Sequence, residues 1–317
     1  MRKLNLIISF LTILLALTLI LSCKGKTKSD SSNASKKFVL ITMDSIDEHW
    51  LSVKKGAEDK VKELGNIELI FRAPAGKTDP NEQTRMAEDA INQKADAILL
   101  APSDIAALSP VAAKIKEANI PLILIDSAIS TEDYDAFLST DNEAAGELAG
   151  ETFAKLVNGK GKIGIVHAQP AASTAIARGK GFETKIKEIA PDIKIVSVQY
   201  SDGDKARALN IATDIMTANP DLVGFFTSNE GSTIGVARAI EDMGKKDTVM
   251  LVGFDKSQDT IRALENGTLK ATIVQNPYKM GFDGVQMAFD ILNGKKVERL
   301  IDTGVNVVTL ENIDIIK

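Results

Sequence analysis

Two stretches of the sequence share one pattern and decide the fold. Residues 95–104 read ADAILLAPSD and lead through a helical pattern to PLILID at 121–126. Residues 220–229 read PDLVGFFTSN and lead in the same way to MLVGFD at 250–255. Each unit runs strand, polar turn, helix, strand and aspartate, and the consecutive apolar residues of PLILID are typical of a parallel strand buried on both faces. The repeat therefore predicts two similar α/β lobes.

The same alternation extends from Phe38 on both sides of the two units. Short apolar runs alternate with segments of helical spacing, which favours parallel sheets covered by helices. The predicted strands are 38–43, 67–71, 97–100, 122–125, 163–166, 193–198, 223–226, 249–252 and 272–274. The predicted helices are 50–64, 82–93, 105–118, 143–157, 179–189, 205–217, 233–243 and 258–266.

Composition and missing motifs exclude several classes of function. The chain has 317 residues and a formal net charge of −5, so it offers no basic face for nucleic acid. Its one cysteine, Cys23, cannot form a disulfide within the chain or build a cysteine zinc cluster. The sequence contains no HExxH or GxSxG, and Gly76-Lys77-Thr78 lacks the upstream glycine of a phosphate-binding loop, since Phe71 stands there. We therefore expect no catalytic residue, no metal and no cofactor.

The N-terminus has the layout of a secretory signal. Residues 1–3 are positively charged at Arg2 and Lys3, an apolar run follows over residues 4–21, and Ser22-Cys23 ends it. A small residue followed by cysteine resembles a bacterial lipobox, although Ile20 replaces the usual leucine. That resemblance implies a signal peptide at 1–22, cleavage before Cys23 and acylation of its thiol.

An uncleaved membrane anchor is the alternative for this segment, because the apolar run is nearly long enough to span a bilayer. In either case the rest of the chain is expected outside the cytoplasm, anchored at the cell envelope. Residues 23–37 are rich in Ser and Lys and predict a flexible tether, with folding expected to begin at Phe38.

Two aspartates are the first candidates for a binding site. Asp126 and Asp255 end equivalent strands of the repeat, and ligands of open α/β sheets collect outside the carboxyl ends of the strands. If the lobes face each other, both carboxylates point into the cleft and can accept hydrogen bonds from ligand hydroxyls or an amine. The alternative is a turn or helix-capping role.

Other candidates combine polar chemistry with a position near a strand end. Trp50, the only tryptophan, could stack on a sugar ring or belong to the core, and His49 could stack, donate a hydrogen bond or be exposed. The guanidinium of Arg178 offers a planar fork of donors, although a surface position is the usual one for arginine. Asn229 and Gln275 follow strands and can donate and accept at once, or simply cap loops.

Several short motifs resemble those of ribose-type periplasmic sugar-binding proteins of bacterial ATP-driven importers, over nearly all of 38–317. They are, in order, HW at 49–50 with VKKGA at 53–57, ANIP at 118–121, STDN at 139–142, RGKGF at 178–182, VGFD at 252–255 and ATIVQNP at 271–277. The resemblance implies two Rossmann-like lobes of the type I periplasmic-binding-protein fold, joined by three crossovers. The implied N-terminal lobe comprises 38–140 plus 276–303, and the C-terminal lobe 141–275 plus 304–317.

The resemblance also implies the function and the site. A monosaccharide, an aldose pentose or hexose, would bind between the lobes and be handed to the permease of an ABC transporter by a monomeric, lipid-anchored protein. The implied sugar-binding residues are Asp47, His49, Trp50, Asp126, Ser127, Arg178, Asn229, Asp255 and Gln275.

Three departures from the family pattern leave the sugar open. Ser127 stands where ribose binders carry Arg, His49 where they carry an aromatic, and Gly203 where an aromatic covers the sugar. A pyranose therefore fits about as well as ribose. The alternatives are a nucleoside or furanone-signal binding protein and a chemoreceptor-linked sugar sensor, whereas a repressor would need a DNA-binding segment at the N-terminus instead of a signal.

Overall fold

The computed structural model describes residues 35–75 and 78–316. The predicted signal peptide, Cys23, the tether up to residue 34 and the segment Gly76–Lys77 lie outside the described residues. Within the described ranges, no helix combines the length and the apolarity needed to cross a membrane.

The described chain forms two sheets of six strands each. The strands are β1 (Lys36–Ile41), β2 (Ile67–Arg72), β3 (Ala97–Leu100), β4 (Leu122–Ile125), β5 (Ala136–Ser139), β6 (Lys160–His167), β7 (Asp192–Tyr200), β8 (Leu222–Thr227), β9 (Met250–Phe254), β10 (Ala271–Gln275), β11 (Leu300–Asp302) and β12 (Val305–Val308). The first sheet has the order β11-β5-β4-β3-β1-β2 and the second has the order β12-β10-β9-β8-β6-β7. All pairs are parallel except β10 with β12.

Helices cover both sheets and complete two lobes. They are α1 (Glu48–Leu64), α2 (Pro80–Asn92), α3 (Ser109–Glu117), α4 (Asn142–Leu156), α5 (Ser173–Ile189), α6 (Lys205–Ala218), α7 (Glu230–Asp242), α8 (Gln258–Glu265), α9 (Pro277–Leu292) and a 3-10 helix (Leu310–Ile315). Helices α1, α2, α3 and α9 pack with the first sheet and form the first lobe, and α4 to α8 pack with the second sheet and form the second lobe. The predicted α/β class with two parallel-sheet lobes is confirmed.

The chain passes between the two sheets three times. The passages lie between β5 and α4, between β10 and α9, and between β11 and β12. In each lobe the carboxyl ends of the parallel strands lead into loops at one edge of the sheet, where the residues of the candidate site lie.

Burial follows the pattern of the repeat. Every residue of β3 and of β4 is buried, as expected for central parallel strands covered on both faces. The sequence patterns missed β5, β11 and β12, which have three or four residues each and lie at or next to a sheet edge, and they also missed α9. Runs of that length give too few periods to identify a strand, unless consecutive apolar residues mark burial on both faces as they do in β3 and β4.

The first strand begins earlier than the sequence predicted. Lys36 and Lys37 already pair with β2, and the Lys37 N–H donates to the Asp96 carboxylate at 2.7 Å. The predicted tether is therefore wrong at its C-terminal end by two residues, because strand pairing can extend through half-buried lysines that carry no apolar signal.

Glycines allow α1 and α9 to cross at very short range in the first lobe. A Cβ on Gly56 would lie 2.0 Å from the carbonyl oxygen of Tyr278, and one on Gly281 would lie 1.9 Å from that of Val53. The second lobe repeats the arrangement where α4 and α5 cross. There a Cβ on Gly146 would lie 2.2 Å from the carbonyl oxygen of Arg178. The crossings fix the helices that carry candidate site residues.

We expect Gly56→Ala to destabilise the protein. Alanine gains about 1 kcal/mol in helix propensity, but the added methyl collides with the backbone of α9, and overpacking of this kind costs about 1–3 kcal/mol or more. Urea unfolding should therefore show a lower midpoint than wild type. Glu58→Ala, an exposed change on the same helix, is the control and should leave the midpoint nearly unchanged. An unchanged or higher midpoint for Gly56→Ala would contradict the crossing described here.

Candidate functional site

The two aspartates of the repeat occupy equivalent positions. Asp126 follows β4 with φ of 63° and Asp255 follows β9 with φ of 72°. Their backbone N–H groups donate to the next strand in the same way, to Leu138 and Ile273 respectively, both at 2.8 Å. Aspartate tolerates this left-handed conformation better than most residues because its short polar side chain can bond locally. Both lobes therefore turn at the same point and present a carboxylate there.

Residues that follow strands of both lobes line one cavity. The empty space that these residues surround is about 510 Å³ when the open solvent at its mouth is included, and only about 50 Å³ of it is cavity in the strict sense, so the lobes lie close together here. Eight of the nine predicted site residues line it: Asp47, His49, Trp50, Asp126, Arg178, Asn229, Asp255 and Gln275. The other lining residues are Met43, Asp44, Thr78, Ala168, Gln169, Ala172, Thr174 and Gly203.

Ser127 is the predicted site residue that the structure does not bring to the cavity wall. Its side chain is fully buried and its hydroxyl donates to the Asp126 carboxylate at 2.7 Å. Ser127 therefore does not face the cavity but fixes the Asp126 carboxylate through this hydrogen bond.

His49 lies between the two aspartates. Its Nε2 is 3.1 Å from Oδ1 of Asp126 and its Nδ1 is 3.5 Å from Oδ1 of Asp255. Neither ring nitrogen has the direction required for a hydrogen bond, so both contacts are charge contacts. Burial by itself would lower the pKa of the imidazole, but the two carboxylates outweigh it and raise this pKa to about 10. His49 is therefore an imidazolium at neutral pH, and its contact with Asp255 joins the lobes.

Arg178 is a second buried cation, held on three sides. Its Nε donates to Asn142 Oδ1 at 2.8 Å and its Nη1 donates to the Ser228 carbonyl at 2.7 Å. Its guanidinium carbon lies 4.3 Å from the centre of the Phe254 ring. Nη2 has no hydrogen-bond partner among the described residues. The arginine therefore has a fixed orientation and one donor group left over.

Asp255 is the centre of the polar network in the second lobe. Gln275 donates to its Oδ1 at 2.7 Å, and the Glu230 N–H donates to its Oδ2 at 3.1 Å. Burial would raise the pKa of this carboxyl, but His49 and Arg178 hold the pKa below its usual value. The amide oxygen of Gln275 has no partner within the described part of the chain, so an acceptor is left over beside an ionised carboxylate.

Asn229 and Trp50 each combine the two roles that the sequence left open. Asn229 caps α7, with its Oδ1 accepting from the Ser232 N–H at 3.2 Å, and it also lines the cavity. Trp50 packs in the core of the first lobe and is only 6% exposed, yet it also lines the cavity. The rings of His49 and Trp50 meet edge to face, with centroids 4.6 Å apart.

Sequence reasoning missed Glu230, which lies beside the cavity with its carboxylate turned toward the other lobe. Its Oε2 accepts from the His49 N–H at 3.2 Å, and Lys205 Nζ lies 3.9 Å from both Glu230 Oε1 and Asp47 Oδ1. An acidic residue in the first turn of a helix is common, so nothing in the sequence distinguished this glutamate from a surface one.

Acidic neighbours crowd this part of the cleft. Burial, and after it the charges of Asp44 and Glu230, raise the pKa of Asp47 to about 8. Burial, and after it the charge of Asp255, raises the pKa of Glu230 to about 7. The two carboxyl groups therefore tend to keep protons at neutral pH while the lobes touch.

We expect the ligand-free protein to lose stability as the pH rises from 6.5 to 8.5. Asp47, Glu230 and His49 all have pKa values of about 7 to 10 in this arrangement, above their ordinary values. The folded state therefore binds more protons than the unfolded chain in this window, and its advantage is lost as the pH rises. Burial lowers the pKa of His167 to about 4, so its opposite contribution lies below the window.

Thermal unfolding at several pH values measures this effect. Asp47→Asn cannot ionise and should show a smaller decline in Tm than wild type over the same range. A wild-type Tm that is constant or rises between pH 6.5 and 8.5 would show that these groups do not keep the stated environment in solution.

Two other chemistries find no support in the geometry. Among residues 35–75 and 78–316, no group of three or more His, Cys, Asp or Glu side chains is arranged to hold a metal ion. Gly159, Gly161 and Gly164 have the spacing of a dinucleotide-binding turn, but they lie before and within β6 instead of between a strand and a helix.

Comparison with known proteins agrees with this architecture. A family profile described as a periplasmic binding protein domain matches residues 38–296. The chain belongs to the periplasmic binding protein family. Members of this family are exported solute-binding proteins, and the resemblance found in the sequence motifs is confirmed.

Three relatives of this binding protein carry ligands in their names. The chain is 42% identical to an ABC transporter solute-binding protein from Agrobacterium vitis with bound D-fucose, with a TM-score of 0.86, covering 88% of this chain and 97% of that one. It is 30% identical to the D-allose-binding periplasmic protein of Escherichia coli, over 86% of this chain and 90% of the relative. It is 28% identical to the ribose import binding protein of Bacillus subtilis, over 89% and 90% respectively.

Proposed function

We propose that this binding protein holds a monosaccharide, an aldose of five or six carbons, in the cavity between its lobes and delivers it to the permease of an ABC importer. The observation that carries the proposal is a set of buried polar groups without partners in the cavity between the lobes. Buried polar groups without partners cost about 1–3 kcal/mol each, so a ligand that supplies the missing partners gains affinity.

The left-over groups match the chemistry of sugar hydroxyls. Arg178 offers a donor and Gln275 offers an acceptor. Asp47 offers a carboxyl group that does not cap its own helix and whose charge contact with Lys205 is long, at 3.9 Å. A hydroxyl both donates and accepts, so neighbouring hydroxyls on one ring can satisfy groups of both kinds. Trp50 supplies an apolar surface for the C–H face of the ring.

The residues come from both lobes, which gives the ligand a means to favour closure. Asp47, Trp50 and Asp126 belong to the first lobe, whereas Arg178 and Asp255 belong to the second. A ligand that contacts both lobes stabilises the arrangement in which they touch, by its differential affinity for it. Closure would then shape the surface that the permease reads.

The comparisons support the class of ligand without fixing the sugar. The named ligands of the three relatives are a pentose, a hexose and a deoxyhexose. In the same proposal, Cys23 carries the lipid that holds the protein at the cell envelope, the protein acts as a monomer, and the lobes divide at residues 140, 275 and 303.

Calorimetric titration tests the proposal. The protein would begin at Lys24, which retains the whole compact unit Lys36–Lys317. The panel would contain ribose, xylose, arabinose, glucose, galactose, fucose and allose, with adenosine as a non-sugar comparison. Saturable, near-stoichiometric binding of one or more sugars is the expected result. Binding of adenosine alone would replace the sugar by a nucleoside, and absence of binding throughout would refute the proposed ligand class.

A further inference from the structure

Helix α1 has an aspartate, Asp47, at the position that usually caps a helix, but the Asp47 side chain does not cap it. The first N–H groups of a helix have no partner within the helix, and an aspartate before the helix usually accepts from one of them. Asp79, Asp141 and Asp204 do this at α2, α4 and α6. Asp47 precedes α1 in the same way, with an extended backbone, yet its side chain makes no capping hydrogen bond.

The missing cap comes from the opposite lobe. Glu230 is 2% exposed, and its carboxylate accepts from the His49 N–H in the first turn of α1 at 3.2 Å. Its own N–H donates to Asp255 at 3.1 Å, and Asp255 in turn lies against the His49 ring. Glu230, Asp255 and His49 therefore form a closed ring of contacts that crosses the cleft twice.

A second contact of the same kind runs in the other direction. Glu48, the first residue of α1, accepts from the N–H of Gln258 at 3.0 Å. Gln258 is the first residue of α8 in the second lobe, so its N–H also has no partner within its helix. Each lobe therefore supplies a glutamate to the start of a helix in the other lobe.

We propose that Glu230 is a positioning residue that caps α1 across the cleft, leaves the Asp47 carboxylate for the ligand, and together with Glu48 holds the lobes closed. The part that concerns the ligand rests on the proposed function, whereas the part that concerns closure does not. A cap supplied by the other lobe exists only while the lobes touch, so its free energy adds to the closed arrangement alone. We call the two contacts, Glu230 with the His49 N–H and Glu48 with the Gln258 N–H, the latch. While the latch is intact, the ligand needs to supply less of the free energy of closure.

The geometry assigns different consequences to different changes. Glu230→Ala removes the cap and allows Asp47 to turn back onto α1, so the lobes separate more readily and the ligand loses an acceptor. Glu230→Gln keeps an amide oxygen that can still accept from the His49 N–H. Glu48→Ala removes only the second contact, at a half-buried position where truncation leaves no large cavity.

Small-angle scattering of the ligand-free protein tests the closure part without any sugar. We expect a larger radius of gyration for Glu230→Ala and for Glu48→Ala than for wild type, and a value near wild type for Glu230→Gln. Glu183→Ala, at an exposed position on α5, is the control. If Glu230→Ala folds poorly, the radius of gyration of Glu48→Ala still tests whether these contacts hold the lobes closed. Equal radii for wild type, Glu230→Ala and Glu48→Ala would overturn the latch.

Titration with D-fucose, or with the tightest sugar of the panel, tests the ligand part. A helix cap is worth enough to change affinity by about 3- to 30-fold, so we expect losses of that size for Glu230→Ala and smaller ones for Glu230→Gln. Unchanged affinity in Glu230→Ala would overturn the positioning role. If no sugar binds wild type, the proposed ligand class fails, but the scattering result still decides whether the latch exists.

Discussion

Asp255→Ala is expected to remove nearly all sugar affinity while the protein stays folded. The carboxylate of Asp255 accepts from Gln275 and from the Glu230 N–H, and it faces the imidazolium of His49. Truncation leaves all three without this partner and removes an acceptor from the cavity. Each hydrogen bond from a ligand hydroxyl to a charged group is worth about 1.5–3 kcal/mol, so the loss of two such bonds corresponds to a loss of affinity of about 100-fold or more.

The fold should survive this change because Asp255 lies at a strand end and not in an apolar core. Alanine is strained at the left-handed φ of 72°, and the cost of about 1–2 kcal/mol should lower the Tm without unfolding the chain. Asp255→Asn is the matched variant, since asparagine accepts this conformation and keeps one oxygen. Calorimetry should rank the affinities as wild type, Asp255→Asn, then Asp255→Ala, with circular dichroism confirming the fold. Wild-type affinity in the alanine variant would refute the assigned site.

His49→Phe is expected to weaken sugar binding strongly at pH 8, although it restores the aromatic residue that the ribose-type pattern carries at this position. In this chain His49 is the cation between Asp126 and Asp255, at 3.1 and 3.5 Å. The ribose-type pattern has an arginine directly after the first of these aspartates, where this chain has Ser127. In this chain the cation between the two aspartates is therefore at position 49 and not at position 127.

Phenylalanine would leave the two buried carboxylates without the imidazolium between them. Of the two cations that lower their pKa values, His49 and Arg178, only Arg178 would remain. Both pKa values should rise, and we expect affinity to fall by about 100-fold at pH 8 and to recover partly near pH 5, where a carboxyl takes up a proton.

His49→Lys provides the decisive comparison. It keeps a cation beside Asp126 and should bind more tightly than His49→Phe. Titrations of both variants with the sugar panel at pH 5 and pH 8 measure this. Wild-type affinity of His49→Phe at pH 8 would show that the imidazolium contributes nothing to the site.

The aspartate pair shows how far a local pattern can reach. Asp126 and Asp255 were predicted as equivalents from a repeat of strand, turn, helix and strand, and the structure gives them the same φ region and the same backbone hydrogen bond to the next strand. The pattern carries this information because each strand end is built by residues that are neighbours in the chain. The same reasoning predicted α/β layering, since burial on both faces leaves a direct mark on composition.

Glu230 shows where local patterns stop. Its role depends on a helix whose first turn lies 181 positions away in the chain, and no sequence signal distinguishes a glutamate that caps its neighbour from one that faces water. Asp47 stands where an aspartate usually caps its own helix, so its position in the sequence indicated a cap that the structure does not contain. The protonation of His49 likewise depends on two carboxylates that arrive from different lobes.

The sequence by itself determined the α/β class, the repeat and most residues of the candidate site, because apolar periodicity and strand ends are local properties of the chain. Only the tertiary structure decided which of these groups are paired, which are left over and which hold the lobes together. Those properties depend on distances across the cleft, which are set by hydrogen bonds and charge contacts between residues far apart in the chain.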